Sequence, residues 1–252
     1  MLTDMDERLI IGITMGDPAS IGPEITVKAL ANNEIYDKCR PLVIGDAGVM
    51  EAAVKIVGKE DVRIHPVHSV EEALFQAGTI DVYDMDLVDV DKLERGKVSV
   101  MAGEAAFRYV EKVIQMAMAG EVDGTVTNAF NKEAINMAGH HYSGHTEVYA
   151  DMTGTKKYTM MLAHENIRVV HVSTHVSLRE ACDRVKKERV LEVIRIAYQA
   201  CRDLGLEQPR IGVAGLNPHS GENGLFGREE IDEIIPAIEA AKAEGIQAEG
   251  PV

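Results

Sequence analysis

The sequence predicts an α/β architecture built around a mainly parallel sheet. Three observations carry that expectation. Short runs rich in Val and Ile alternate with longer stretches whose apolar residues recur every three to four positions, which is the pattern of strands alternating with helices. The short runs are nearly continuously apolar, as strands are when helices cover both faces of their sheet. Apolar residues fill 46% of the 252 positions while aromatics fill only 4% and Trp is absent. The core must therefore be assembled from Val, Ile, Leu, Met and Ala.

In chain order, the first strand is expected at residues 9–14 (LIIGIT), and further strands at 42–45, 62–65, 125–127, 158–164, 168–173 and 211–216. A helix is expected over 103–119, with Ala106, Val110, Val113, Ile114 and Ala117 on one face and Gly120 as its stop. A second, over 187–204, places Val190, Ile194, Ala197, Cys201 and Leu204 together ahead of Gly205. A third covers 229–243, where Pro236 should bend or split it. The charged, irregular stretch 81–98 reads as a connection between two lobes, with the junction inside 81–100. Residues 247–252 (QAEGPV) look like the start of another element, so the pattern is expected to be cut short.

Charge narrows the partners. Twenty-six basic against 41 acidic residues give 26 − 41 = −15. Nucleic-acid binding needs clustered Lys and Arg, so nucleic acid is not expected as a partner. Cys39, Cys182 and Cys201 have no CxxC spacing and read as reduced thiols of a cytoplasmic protein. Acidic residues precede the first apolar run, unlike a signal peptide, and no apolar stretch approaches a membrane span.

Four segments carry candidate chemistry. ITMGDPASIGPE (13–24) takes a strand into a helix, with Pro23 suited to the first helical turn. It is either the lip of an active site or a plain connection. It matches neither GxGxxG nor GxxxxGK[ST]. GHHYSGHTE (139–147) crowds His140, His141 and His145 with Ser143 and Thr146. An imidazolium, a hydroxyl and free helix N–H groups would make an anion cradle there; the plainer reading is a capping loop with Ser143 or Thr146 as N-cap. In VHVSTHVSLR (170–179) and GLNPHSGENGLFGREE (215–230), His175 and His219 each follow an apolar strand. If those strands share one edge of a parallel sheet, the two imidazoles are two thirds of a metal site; otherwise they are hydrogen-bonded loop histidines. Among the rest, His65 and His68 fall in a turn-like HPVH, His164 and His171 fall on strands, and Lys132 reads as a solvated helix start.

ITMGDPASIGPE, GHTE, VSTH and NPHSGENGLFGREE, in this order and at these separations, resemble the 4-hydroxythreonine-4-phosphate dehydrogenase (PdxA) family. The resemblance spans the chain from Ile11 onward. HVSTH, NKEA and GENGLFG are closer to the branch acting on D-threonate and D-erythronate 4-phosphates than to the pyridoxine (vitamin B6) biosynthesis branch. The resemblance implies an isocitrate/isopropylmalate dehydrogenase-like fold of two α/β lobes with a cleft between them. It implies a homodimer that uses NAD and a divalent cation (Zn, Mg or Co). Such an enzyme oxidises the C3 hydroxyl of a 4-phosphorylated four-carbon acid, with decarboxylation following. Carried onto this chain, His145 and Thr146 match the substrate-binding pair, and His175 and His219 match two of three metal-binding histidines. The third lies in a YHDQG-like segment that would follow Val252, so the resemblance implies a truncated two-lobed unit over 1–252. Asn128-Ala129-Phe130 stands where the family carries a small residue and Pro. Two other functions stay open: a truncated relative that only binds the phosphorylated acid, and a cyclic dihydrodiol carboxylate dehydrogenase on the same scaffold.

Overall fold

The computed structural model describes residues 7–252; the acidic opening stretch 1–6 lies outside them. The chain divides into two compact units, one ending at Gly154 and the other running from Thr155 to Val252.

The first unit holds a five-stranded sheet. Its elements are β1 (Ile10–Thr14), α1 (Gly22–Leu30), α2 (Glu34–Lys38), β2 (Arg40–Gly45), α3 (Ala47–Ile56), β3 (Arg63–Val67), β4 (Thr79–Asp84), α4 (Val100–Ala119), β5 (Gly124–Thr127), α5 (Lys132–Met137) and α6 (His145–Met152). The strands run in the order β3-β4-β2-β1-β5, and every pairing is parallel. This bears out the α/β expectation. Leu42, Val43, Ile44, Ile80 and Val82 are fully buried at its centre, since helices pack on the central strands.

α4 covers β1, β2 and β5. Its first turn is capped by Ser99, whose hydroxyl accepts from Ala102 N, and it ends on Gly120 at φ 74°, the left-handed stop expected from the sequence. It begins three residues before the predicted start because Ser99 supplies the cap. Gly103 lets α5 approach: a Cβ there would lie 2.1 Å from the Ala134 carbonyl oxygen.

Two expectations are corrected in this unit. Residues 81–100 are not a junction between lobes. They begin inside β4 and return across the first unit, tied down because Asp46 Oδ1 accepts from Leu87 N (2.6 Å) and Val88 N (2.9 Å). Gly96 N also donates to the Ala19 carbonyl at 2.7 Å. The chain's division falls after Gly154 instead. His65 is no turn residue either: β3 continues through Pro66 to Val67. Pro66 is tolerated because β3 is an edge strand.

The second unit contains β6 (Met161–His164), β7 (Ile167–Val170), α7 (Leu178–Arg184), α8 (Lys187–Asp203), β8 (Arg210–Gly212), α9 (Ile235–Ala243) and β9 (Gln247–Glu249). β6 and β7 form an antiparallel hairpin, so these two predicted strands do not join a parallel sheet. The two-residue connection Glu165-Asn166 leaves the chain only a hairpin. β8 pairs in parallel with β9, which is the element foreseen at 247–252. Val190, Ile194, Ile234, Ala237, Ile238 and Ala241 form this unit's core. A cleft of about 530 Å³ lies beside it, lined by Val170, Val190, Ala197, Cys201 and Ile211 among others. Pro236 splits its helix as anticipated: a π-helical turn (Glu230–Ile234) precedes α9, and the proline sits in the first turn of α9, where its missing N–H costs nothing.

Candidate active site

The loop after β1 is a built structure. Asn128, just past β5, donates from Nδ2 to the Thr14 carbonyl (3.0 Å) and to Thr26 Oγ1 (2.7 Å), and its N–H reaches Thr14 Oγ1 (3.2 Å). Asp17 N donates to the Ala129 carbonyl at 3.1 Å. Gly16 sits at φ +79°, and a Cβ there would come within 2.7 Å of the same carbonyl. Only glycine meets both conditions. Asp17 is buried, and Ala19 N donates to its Oδ1 at 2.8 Å. Burial pushes its carboxyl up despite that bond. Pro23 stands in the first turn of α1, as expected.

Asn128-Ala129-Phe130 connects this loop to His145, the first residue of α6. The His145 ring stacks on Phe130 with centroids 3.9 Å apart and donates a hydrogen bond to the Asn128 backbone carbonyl. Burial holds its pKa below the usual histidine value, because an imidazolium is costly to desolvate. With its one N–H given to Asn128, the unprotonated ring offers an acceptor nitrogen. That atom, Nε2, is buried and unpartnered, as is Oε2 of Glu147 two residues later. Thr146 lies between them, half-buried. The N-cap of α6 is Gly144, not Ser143 or Thr146.

The other two crowded histidines point to separate partners. His140 stacks on Phe107 at 3.7 Å and bonds through Nε2 to Glu104 Oε2 at 2.6 Å. Burial pushes Glu104 up, but the hydrogen bonds from His140 and Arg108 outweigh it and hold the carboxyl below its usual value. His141 bonds to Asn136 at 2.8 Å. Lys132 opens α5 in an exposed position behind the Asn131 cap. His65 is bound by Asp81 at 2.8 Å.

His175 and His219 both belong to the second unit. Each is exposed and each adopts a left-handed backbone, at φ 56° and 52°. They do not lie at one edge of a shared parallel sheet: β7 pairs with β6, and β8 with β9. His219 opens a run of left-handed residues through Asn223, a conformation that costs non-glycine residues energy and clusters at functional sites. Glu230 holds that loop. Its Oε1 accepts from Leu216 N and Asn217 N at 2.7 Å each, and its Oε2 from Asn217 Nδ2 at 2.9 Å. Glu230 is 1% exposed. Burial pushes its carboxyl up, yet these bonds outweigh it and hold it below the usual range.

Sequence reasoning missed Asn128, Glu147 and Glu230 as parts of these sites. Glu147 stood at the third helical position after Gly144, where a carboxylate is a helix-start signal. Glu230 falls at the start of the helix expected over 229–243, which says nothing of the loop that it holds.

Comparison with known proteins assigns the family. Residues 37–252 match the family model described as pyridoxal phosphate biosynthetic protein PdxA. A D-threonate 4-phosphate dehydrogenase of Cupriavidus necator is 45% identical over 244 residues, covering 96% of this chain and 73% of that protein. The crystal structure of a 4-hydroxythreonine-4-phosphate dehydrogenase from Klebsiella pneumoniae superposes with a TM-score of 0.90 at 40% identity, over 97% of this chain and 74% of that one. A terephthalate 1,2-cis-dihydrodiol dehydrogenase from Burkholderia xenovorans is more distant, with a TM-score of 0.64 at 29% identity, over 97% and 74% of the two chains. The fold is thus of the isocitrate/isopropylmalate dehydrogenase type. The chain belongs to the PdxA family and is a PdxA-type dehydrogenase.

Proposed function

We propose that this protein oxidises the C3 hydroxyl of a 4-phosphorylated four-carbon hydroxy acid, with D-threonate 4-phosphate as the favoured substrate. The 3-oxo acid formed then loses carbon dioxide. D-erythronate 4-phosphate and 4-phosphohydroxy-L-threonine are the neighbouring candidates. The observation that carries this reading is the close likeness to a D-threonate 4-phosphate dehydrogenase over nearly the whole chain. A cytoplasmic homodimer is part of the same reading, as are partners other than nucleic acid for a chain of charge −15. No helix among the described residues is long and apolar enough to cross a membrane.

NAD, when bound, supplies the hydride acceptor, and a divalent ion (Zn, Mg or Co) a Lewis acid. His175 and His219 would be two ligands of such an ion, since exposed imidazoles suit it. They are an incomplete set: among the described residues, no three His, Cys, Asp or Glu side chains gather to hold a metal.

The chain's own contribution is clearest at α6. Phe130 and Asn128 fix the His145 ring, so its acceptor nitrogen is set before substrate arrives. A substrate hydroxyl donates to that nitrogen, and Thr146 beside it can donate to a substrate oxygen. Pre-set partners of this kind cost no reorganisation when the substrate docks.

NADH formation with D-threonate 4-phosphate, 4-phosphohydroxy-L-threonine and a terephthalate cis-dihydrodiol, with and without Mg, Co or Zn, tests the reading. Metal-dependent turnover of D-threonate 4-phosphate is expected, and it should vanish in His175→Ala and in His219→Ala. Turnover of the dihydrodiol alone would transfer the protein to the other dehydrogenase type. Unchanged metal dependence in both variants would remove the two histidines from the metal site.

A further inference from the structure

Two polar atoms in the first turn of α6 are buried without a hydrogen-bond partner: Nε2 of His145 and Oε2 of Glu147. Native folds rarely leave such atoms orphaned, and each calls for an explanation. Both are acceptors. The neutral His145 ring already gives its N–H to the Asn128 carbonyl, so the remaining nitrogen carries a lone pair. A carboxylate oxygen can only accept. The missing groups are therefore donors, and a bound ligand can bring them.

Their chemical class follows. A phosphate or carboxylate would bring more acceptors and would be repelled by Glu147. Hydroxyl groups on a short carbon chain would satisfy both atoms. Gly144 spares the carboxylate a close contact: a Cβ there would lie 3.2 Å from Glu147 Oε2. Its φ of 179° suits any residue, so what glycine provides at this position is room, not backbone freedom.

We propose that Glu147 is a specificity-determining residue which, with His145, accepts hydrogen bonds from the carbon-chain hydroxyls of a polyhydroxy acid. The inference rests on the substrate class proposed above. It goes beyond it by naming the group that separates hydroxylated acids from their deoxy counterparts. An ammonium at C2 would satisfy Glu147 as a hydroxyl does, whereas a C–H bond would not.

The test is calorimetric titration of the 252-residue protein, without NAD, using D-threonate 4-phosphate and its 2-deoxy and 3-deoxy analogues. Wild type should bind the parent about 10- to 100-fold more tightly than at least one analogue, the value for a hydrogen bond to a charged acceptor. In Glu147→Ala that preference should collapse while affinity for the same analogue holds. Glu147→Gln keeps a carbonyl acceptor in the same volume and should restore a preference of about 2- to 10-fold. It also serves as the working variant if the alanine form melts early. A full preference surviving in both variants overturns the inference. So does an equal loss of affinity for all three compounds, which would mark a purely structural role. Those results leave the proposed function standing, whereas a wild type that binds none of the three overturns both.

Discussion

Glu230 is the buried group on which the His219 loop hangs, and replacing it should release that loop. The carboxylate receives two backbone N–H groups at 2.7 Å and one amide N–H at 2.9 Å. In Glu230→Gln the remaining carbonyl oxygen still takes the two backbone donors. The new NH2 group faces Asn217 Nδ2, a donor already committed to Glu229 at 2.7 Å. One charge-assisted bond is lost, worth about 1.5–3 kcal/mol. In a protein of this size that lowers the melting temperature by about 3–12 °C. Glu230→Ala removes all three bonds and strands both backbone donors, a loss of about 3–5 kcal/mol.

The pH dependence follows from the same bonds. The folded carboxyl lies below the ordinary value of 4.5, so the folded state binds fewer protons than the unfolded one just below that value. Its contribution is present in full above pH 4.5 and is lost as pH falls through the folded pKa. Calorimetric melts of wild type and Glu230→Gln should therefore converge as pH is lowered from 6 towards 3. In the variant, the His219 ring resonances should shift at neutral pH. A melting temperature within 2 °C of wild type at pH 7, with unmoved His219 signals, would refute the reasoning.

Other consequences are as direct. The His145 ring should titrate by NMR with a midpoint below 6.5, because its burial lowers the folded pKa; stability then falls as pH drops below 6.5, where the unfolded ring takes up a proton that the folded one refuses. A midpoint at or above 6.5 would contradict the neutral acceptor assigned to it. Gly16→Ala forces a Cβ into the Ala129 carbonyl at φ +79° and should cost about 1–3 kcal/mol in denaturant melts. A neutral outcome would mean the loop after β1 shifts freely.

The parts of the fold legible in the sequence were those where one local signal decides. Ser99 and Gly120 bracket α4, and Pro236 marks the split before α9. β4 stayed hidden because Asp81 and Asp84 make TIDVYD look like a loop. Asp81 is tolerated at 1% exposure only because Leu74 N, Phe75 N and His65 supply its hydrogen bonds, and those partners emerge only on folding. The β6–β7 hairpin was seen as two strands, but periodicity says nothing about pairing direction. At the candidate site, GHTE was visible as a motif. The protonation of His145 was not, since it depends on burial and on contacts to Asn128 and Phe130 from another segment. The distribution of the histidines over two units also required the coordinates, because β7 and β8 look alike in sequence whichever strand each of them pairs with.

The central claim is that an alcohol is oxidised beside a carboxylate that then leaves. The most direct measurement follows NADH at 340 nm and released carbon dioxide together, with D-threonate 4-phosphate and NAD. One NADH and one carbon dioxide per substrate consumed is the predicted result. NADH without carbon dioxide, or neither, would contradict the account.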